Sequence, residues 1–144
     1  DPIRNELFTA SKGCGASVDS KRIRVNKASS INNAFLATGF PVRQPEQLDS
    51  YLKTFTPILK QSADIRIAGS AALSLAYVAA GRLDGYFESG LESWDLAAGS
   101  LMVLEAGGYV GDYAGGENYL TTGNIIAGNM KIYKNLLQHI NNNS

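Results

Sequence analysis

The sequence predicts an α/β protein, specifically a layered α-β-α sandwich built around a mixed β-sheet. Short apolar segments, typical of buried strands, alternate along the chain with longer segments whose apolar residues recur at helical spacing. Glycine and proline residues separate these segments. The chain has 144 residues, which is enough for one ordinary domain with a sizeable core.

The composition is that of a globular protein, with 44% hydrophobic and 18% charged residues. No apolar run approaches the roughly 20 residues of a membrane-spanning helix, so we expect no membrane association. The single cysteine, Cys14, excludes an internal disulfide and favours a reducing, cytoplasmic location. The net charge is zero, but residues 1–72 carry +4 and residues 73–144 carry −4. The acidic half suits a metal-binding cleft, although a solvated acidic face is the commoner cause of such a bias.

The first predicted elements are strands. Residues 6–25 are expected to form a β-hairpin, because ELFTAS and KRIRVN alternate apolar and polar residues on either side of the turn-rich KGCGASVDS. A polar linker over residues 27–33 follows. The segment AFLATGF predicts a buried strand that ends at Gly39 and Pro41.

Helices and short strands then alternate. Apolar residues at helical spacing predict a helix over residues 44–62, which Pro57 is expected to kink or end. The sequence IRIA indicates a short strand. The segment GSAALSLAYVAAGR predicts a helix that is capped by Ser70 and stopped by Gly81.

The last third of the chain continues the alternation. GYFES predicts a strand, which is followed by a helix over residues 95–106 that ends at Gly107 and Gly108. GYVGDY and NIIAGN are two further short strands. An amphipathic helix is expected over residues 131–140, and residues 141–144 are expected to be a disordered tail.

Two carboxylates are the leading candidates for chemistry. Asp95 stands at the head of an apolar helix, where it could simply cap the free backbone N–H groups. Glu88 ends the preceding strand, so a short turn would place both carboxylates at one rim. Carboxylates of this kind suit Mg²⁺, which binds one or two of them together with waters and phosphate oxygens.

The turn before the second predicted helix is another candidate. Gly69, Ser70 and Ala71 lie where a strand runs into a helix N-terminus, which can bind an anion, although structural capping is the commoner role. A nucleophilic triad is not supported, because His139 is the only histidine and lies near the C-terminus, far in sequence from Cys14.

At this point the residues resemble a known family. WDLAAGSLMVLEAGG closely matches the C-terminal signature of the inositol monophosphatase family, and GSAALSLAYVAAGRLDGYFE and TGNIIAGN stand at the expected places on either side. DPIRNELFTASKGCGA is similar to the middle of that family, particularly its bacterial SuhB-like branch. The resemblance covers this whole chain but only the C-terminal half of a family member.

The resemblance implies both a fold and an activity. Family members are Mg²⁺-dependent, Li⁺-sensitive phosphomonoesterases with an α-β-α-β-α fold, usually dimeric. Residues 1–27 would then be a hairpin left over from the first domain, and residues 28–140 the C-terminal α/β domain. Asp95 would be the catalytic metal ligand and Glu88 would bind an inositol hydroxyl. Gly69, Ser70 and Ala71 would lie against the substrate.

The chain also departs from the family. The upstream Glu-Glu pair and the Asp-Pro-Ile/Leu-Asp-Gly-Thr motif, which supply most metal ligands, are absent, and Asp1 only imitates the start of the second motif. We therefore expect this chain to be inactive alone. The alternatives are a sister phosphatase acting on fructose bisphosphate or 3′-phosphoadenosine nucleotides, and a non-enzymatic partner in ribosomal RNA transcription antitermination that binds a transcription factor.

Overall fold

The computed structural model describes residues 1–42 and 44–143, which form two β-sheets and five α-helices. The strands are β1 (Phe8–Ser11), β2 (Gly15–Val18), β3 (Lys21–Arg22), β4 (Phe35–Thr38), β5 (Asp64–Arg66), β6 (Gly85–Glu88), β7 (Tyr109–Gly111) and β8 (Ile125–Gly128). The helices are α1 (Leu48–Gln61), α2 (Ala71–Ala79), α3 (Ser93–Glu105), α4 (Tyr119–Thr122) and α5 (Met130–Asn143). No helix of the described residues is long and apolar enough to cross a bilayer.

The larger sheet is mixed, as the sequence predicts. Its strand order is β5-β4-β6-β8-β7, in which β4 runs parallel to β5 and β6 while β8 is antiparallel to β6 and β7. Helices cover both faces. One face packs against α2 and α3, and the other packs against α1 and α5. The predicted layered α-β-α sandwich is therefore confirmed.

The alternation of side chains along β6 shows how the sheet divides the core. Tyr86 belongs to the cluster that contains Leu75 of α2 and Leu96 of α3. Phe87 points to the opposite face and packs with Ile58 of α1 and the buried residues of α5. Successive strand residues point to opposite faces, so Glu88 shares the α2 and α3 face with Tyr86.

The predicted N-terminal hairpin is wrong in its pairing. The segment interpreted as one long turn contains β2, so the structure has a three-stranded antiparallel sheet with the order β1-β2-β3. Gly13 adopts positive φ between the first two strands and Gly15 does so at the start of β2, whereas Asp19 and Ser20 do so between the second and third strands. Two tight turns therefore replace the single loop, and in the second turn the positive φ of both central residues matches the twist of a hairpin.

Helix boundaries also differ from the expectations. Pro57 lies inside α1 and does not end it. A proline inside a helix costs about 3 kcal/mol, and burial of Tyr51, Thr54 and Ile58 on one face of α1 offsets this cost. The short helix α4 was not predicted.

The C-terminal helix is longer than expected. α5 continues to Asn143, so residues 141–143 are helical and the expected tail is wrong there, while Ser144 lies outside the described residues. Packing of Ile132, Leu136 and Ile140 into the core stabilises the predicted part of this helix.

Candidate functional site

The turn between β5 and α2 presents a helix N-terminus to solvent. Ser70 has extended backbone geometry, and its Oγ accepts a hydrogen bond from the backbone N–H of Leu73 at 3.3 Å. The predicted cap is thus confirmed. Gly69 adopts a φ of +78°, a conformation that favours glycine, and a Cβ added to it would meet no atom within 4 Å. The space beside this turn is therefore open.

Glu88 ends β6 at the edge of that open space. Its side chain is half-buried, and the hydroxyl of Tyr86 donates a short hydrogen bond to its carboxylate. The carboxylate also lies against Gly39, where an added Cβ would overlap it. A glycine after β4 therefore leaves the room that this carboxylate occupies.

Asp95 lies in the first turn of α3, as expected, but the helix begins two residues earlier, at Ser93. Its Oδ2 accepts a hydrogen bond from the backbone N–H of Glu92 at 3.1 Å. Glu92 and Asp95 thus form a capping box, which explains why α3 begins before Asp95. Among the described residues, Asp95 Oδ1 accepts no hydrogen bond, so this oxygen can take another partner.

All five residues that the sequence singles out line one cleft. Its volume is about 420 Å³, and its lining includes Gly69, Ser70, Ala71, Glu88 and Asp95. The sequence predicts that a short turn places the carboxylates of Glu88 and Asp95 at one rim. The structure brings both to the same cleft.

The two carboxylates also influence each other electrostatically. Burial raises the pKa of Glu88 above its ordinary value, and the negative charge of Asp95 raises it further, while the hydrogen bond from Tyr86 opposes the shift. Two like charges at one cleft produce a site that attracts a cation.

The carboxylates that line the cleft fit a site for one metal ion. Within residues 1–42 and 44–143, no group of three or more His, Cys, Asp and Glu side chains could hold a metal ion. A single Mg²⁺ needs only one or two protein carboxylates when phosphate oxygens and waters complete its shell, and Asp95 has a free oxygen for this purpose. The residues present therefore fit one such ion and do not fit a site with several ions.

Other acidic and nucleophilic residues lie apart from the cleft. The Asp1 carboxylate accepts hydrogen bonds from Arg4 and from the hydroxyl of Tyr77. Cys14 is exposed on the turn between β1 and β2. His139 lies on α5, which packs on the opposite face of the sheet.

The end of β4 also lines the cleft, which the sequence did not predict. Thr38, Gly39 and Phe40 line it at the carboxyl end of this strand. In the structure β4 and β6 are parallel, and ligands bind at the carboxyl ends of parallel strands. The apolar run of AFLATGF indicated a buried strand but not its direction.

The mixed sheet, covered by helices on both faces, and the acidic cleft that Glu88 and Asp95 line define a layered α/β protein with one candidate ligand site. Residues 1–144 match the model of the inositol monophosphatase family, and the chain belongs to that family. Its relatives place it in the SuhB-like branch. It is 50% identical over 140 residues to the Nus factor SuhB of Escherichia coli (strain K12), an alignment that covers 97% of this chain and 52% of that protein.

Solved structures agree with this assignment. The crystal structure of the extragenic suppressor protein SuhB from Bartonella henselae superposes with a TM-score of 0.92 at 44% identity, covering 96% of this chain and 53% of the other. An inositol monophosphatase from Anabaena (Nostoc) sp. PCC 7120 superposes with a TM-score of 0.94 at 37% identity, covering 100% and 60%. The chain thus spans about half the length of the curated relatives it matches.

Proposed function

We propose that this chain forms the substrate-facing half of a Mg²⁺-dependent phosphomonoesterase that hydrolyses inositol monophosphate. The observation that supports the proposal is the convergence of Glu88, Asp95 and the segment from Gly69 to Ala71 on one cleft. Family membership supports phosphatase chemistry in general. The substrate and the metal are our inference.

Each residue has a role in this proposal that its position supports. Asp95 would hold Mg²⁺ through its free oxygen, and a bound ion would neutralise phosphoryl charge and activate water. Ser70 and Ala71 lie at a helix N-terminus, which favours a phosphate. Glu88 would accept a hydrogen bond from an inositol hydroxyl, because an ionised carboxylate is an acceptor only.

We further propose that the chain is inactive alone. Phosphoryl transfer depends on metal ions that neutralise developing charge, and the described residues provide carboxylates for one ion at most. Exposed apolar side chains surround the cleft: Val42 is 81%, Ile67 48% and Trp94 73% exposed. Such a patch suits coverage by another polypeptide segment, for which the other half of the relatives is the natural candidate.

The test is phosphate release from inositol 1-phosphate with and without Mg²⁺. We expect none from the chain alone, and activity after mixing with the N-terminal half of the E. coli relative. Asp95→Asn should abolish it. Asp49→Asn is the matched control, because Asp49 lies in the first turn of α1, is exposed and does not line the cleft. Equal activity of the Asp95 variant and the control would refute the proposed role.

Fructose bisphosphate and 3′-phosphoadenosine nucleotides in the same assay would identify a sister phosphatase. Inhibition by Li⁺, dimerisation of the reconstituted protein and a cytoplasmic location are further parts of the proposal. Each has a direct measurement: inhibition kinetics, sedimentation, and cell fractionation.

The second candidate is a non-enzymatic role in ribosomal RNA transcription antitermination. The observation that favours it is the name Nus factor, which curated relatives at about 50% identity carry. Binding of the Asp95→Asn variant to the antitermination complex would support this role, since binding needs no metal. Strict dependence of binding on Asp95 would count against it.

A further inference from the structure

Tyr86 places a polar atom directly beneath the cleft. The residue is fully buried, and it precedes Glu88 by two positions on β6, so both side chains point to the same face of the sheet. Its aromatic ring packs in the core with Leu75 and Leu96. Its hydroxyl donates to Glu88 Oε2.

The Glu88 carboxylate is therefore held from two sides. Tyr86 contacts it from the core, and Gly39 approaches it so closely from β4 that a Cβ at that position would overlap it. A carboxylate has several acceptor positions, and one hydrogen bond from Tyr86 leaves others free to face the cleft. Burial raises the pKa of Tyr86, so this hydroxyl keeps its proton and remains a donor.

We propose that Tyr86 is a positioning residue, which fixes the Glu88 carboxylate in the orientation that accepts a hydroxyl of a polyol phosphate. The inference rests on the proposed function for the identity of the ligand, and on contacts among Tyr86, Glu88 and Gly39 for the positioning. A ring locked in a close-packed core cannot move without disturbing its neighbours, which makes it a rigid support.

The first measurement is the affinity for inositol 1-phosphate with Mg²⁺, by calorimetry on this chain. Tyr86→Phe should weaken binding about tenfold, the loss expected for one charge-assisted hydrogen bond. The double variant Tyr86→Phe/Glu88→Gln should bind no more weakly than Glu88→Gln alone, because Tyr86 acts through Glu88.

Tyr77→Phe is the matched control. The Tyr77 hydroxyl also donates to a carboxylate, that of Asp1, and its ring packs against the same core cluster, but the Asp1 carboxylate does not line the cleft as Glu88 does. This variant should bind within about twofold of the wild type. Equal losses in Tyr86→Phe and Tyr77→Phe, or an unchanged affinity in Tyr86→Phe, would overturn the positioning role.

A second readout separates this inference from the proposed function. If the wild-type chain binds no inositol phosphate even after mixing with the N-terminal half of the E. coli relative, the proposed ligand is wrong, and the positioning is then read from the ¹³Cδ resonance of Glu88. A resonance displaced in Tyr86→Phe but not in Tyr77→Phe supports the positioning of the carboxylate. A resonance that stays in place in Tyr86→Phe refutes it.

Discussion

Replacing Gly99 by alanine should force apart the two helices that carry the rims of the cleft. Gly99 is buried in α3 where it faces α2, and a Cβ at this position would lie 2.5 Å from Leu75 Cβ and 2.7 Å from Leu75 Cδ1. Carbon atoms in optimal contact are about 3.5–4.0 Å apart. The overlap is therefore about 1 Å, and Leu75 Cβ cannot rotate away because it is fixed to the backbone.

Two opposing effects set the size of the change. Alanine favours a helix over glycine by about 1 kcal/mol, which would stabilise α3. Overpacking a core costs typically about 1–3 kcal/mol, and an overlap with a backbone-anchored atom belongs at the upper end of this range. We expect a net loss of about 2 kcal/mol in the free energy of unfolding. For a chain of this size the loss lowers Tm by roughly 5–10 °C.

Urea denaturation followed by circular dichroism measures this loss. Ala98→Gly is the control, because Ala98 is exposed on the same helix and its replacement reports helix propensity alone, about 1 kcal/mol. In the Leu75→Ala background, Gly99→Ala should cost less than in the wild type, since the overlap with Leu75 Cδ1 is removed, and the remaining cost reports the overlap with Cβ. A Gly99→Ala protein as stable as the wild type would refute the close-packing argument.

Three further results are expected. Ser70→Ala should lower the free energy of unfolding by about 0.5–2 kcal/mol in the same urea assay, because the backbone N–H of Leu73 loses its acceptor, whereas Ser70→Asp should retain the stability. Asp95→Asn should abolish Mg²⁺ binding measured by calorimetry; retention of the wild-type affinity would contradict the assigned ligand. Glu88→Gln should stabilise the protein at neutral pH. Because burial and Asp95 raise the pKa of Glu88, the folded state binds its proton more tightly than the unfolded state, so wild-type stability falls as pH rises from about 4.3 through the raised pKa. The stability difference between wild type and variant should shrink as pH is lowered through that window, and a difference that is constant with pH would contradict the shift.

Local signals in the sequence were enough to predict much of the larger sheet and its helices. Ser70 and Gly81 bracket α2 as their cap chemistry requires. The apolar run over β4 predicts a buried strand, because a strand covered by helices on both faces has few polar positions. These elements follow from interactions between residues that are close in the chain.

The parts that failed depend on distant contacts. The backbone N–H groups of Gly13 and Gly15 donate to the Glu105 carboxylate at 2.7 and 2.8 Å, across 92 and 90 positions of sequence, respectively. This contact holds the turn between β1 and β2 against α3, and no local sequence pattern predicts it. Pairing by hydrophobic alternation alone therefore joined the wrong strands.

The candidate site also has some features that local sequence predicts and others that depend on distant contacts. Asp95 was identified by the Trp-Asp signature, and its place in the first turn of α3 follows from local capping chemistry. Its proximity to Glu88 depends on how β6 pairs with its neighbours and how α3 packs on the sheet, which are tertiary properties. The substrate-binding role predicted for Glu88 came from the family resemblance. Its contacts with Tyr86 and Gly39 are seen only in the structure.

The placement of the two carboxylates is itself evidence for a ligand. Capping explains Asp95 alone, but it gives no reason for a second, half-buried carboxylate, Glu88, whose pKa is raised by burial and further by the charge of Asp95. Like charges at one cleft destabilise a folded protein, and such arrangements persist where a cation or a substrate offsets the repulsion. A ligand that binds only the folded state adds to its stability. The placement of Glu88 and Asp95 therefore supports our proposal that the cleft binds a cation and a substrate.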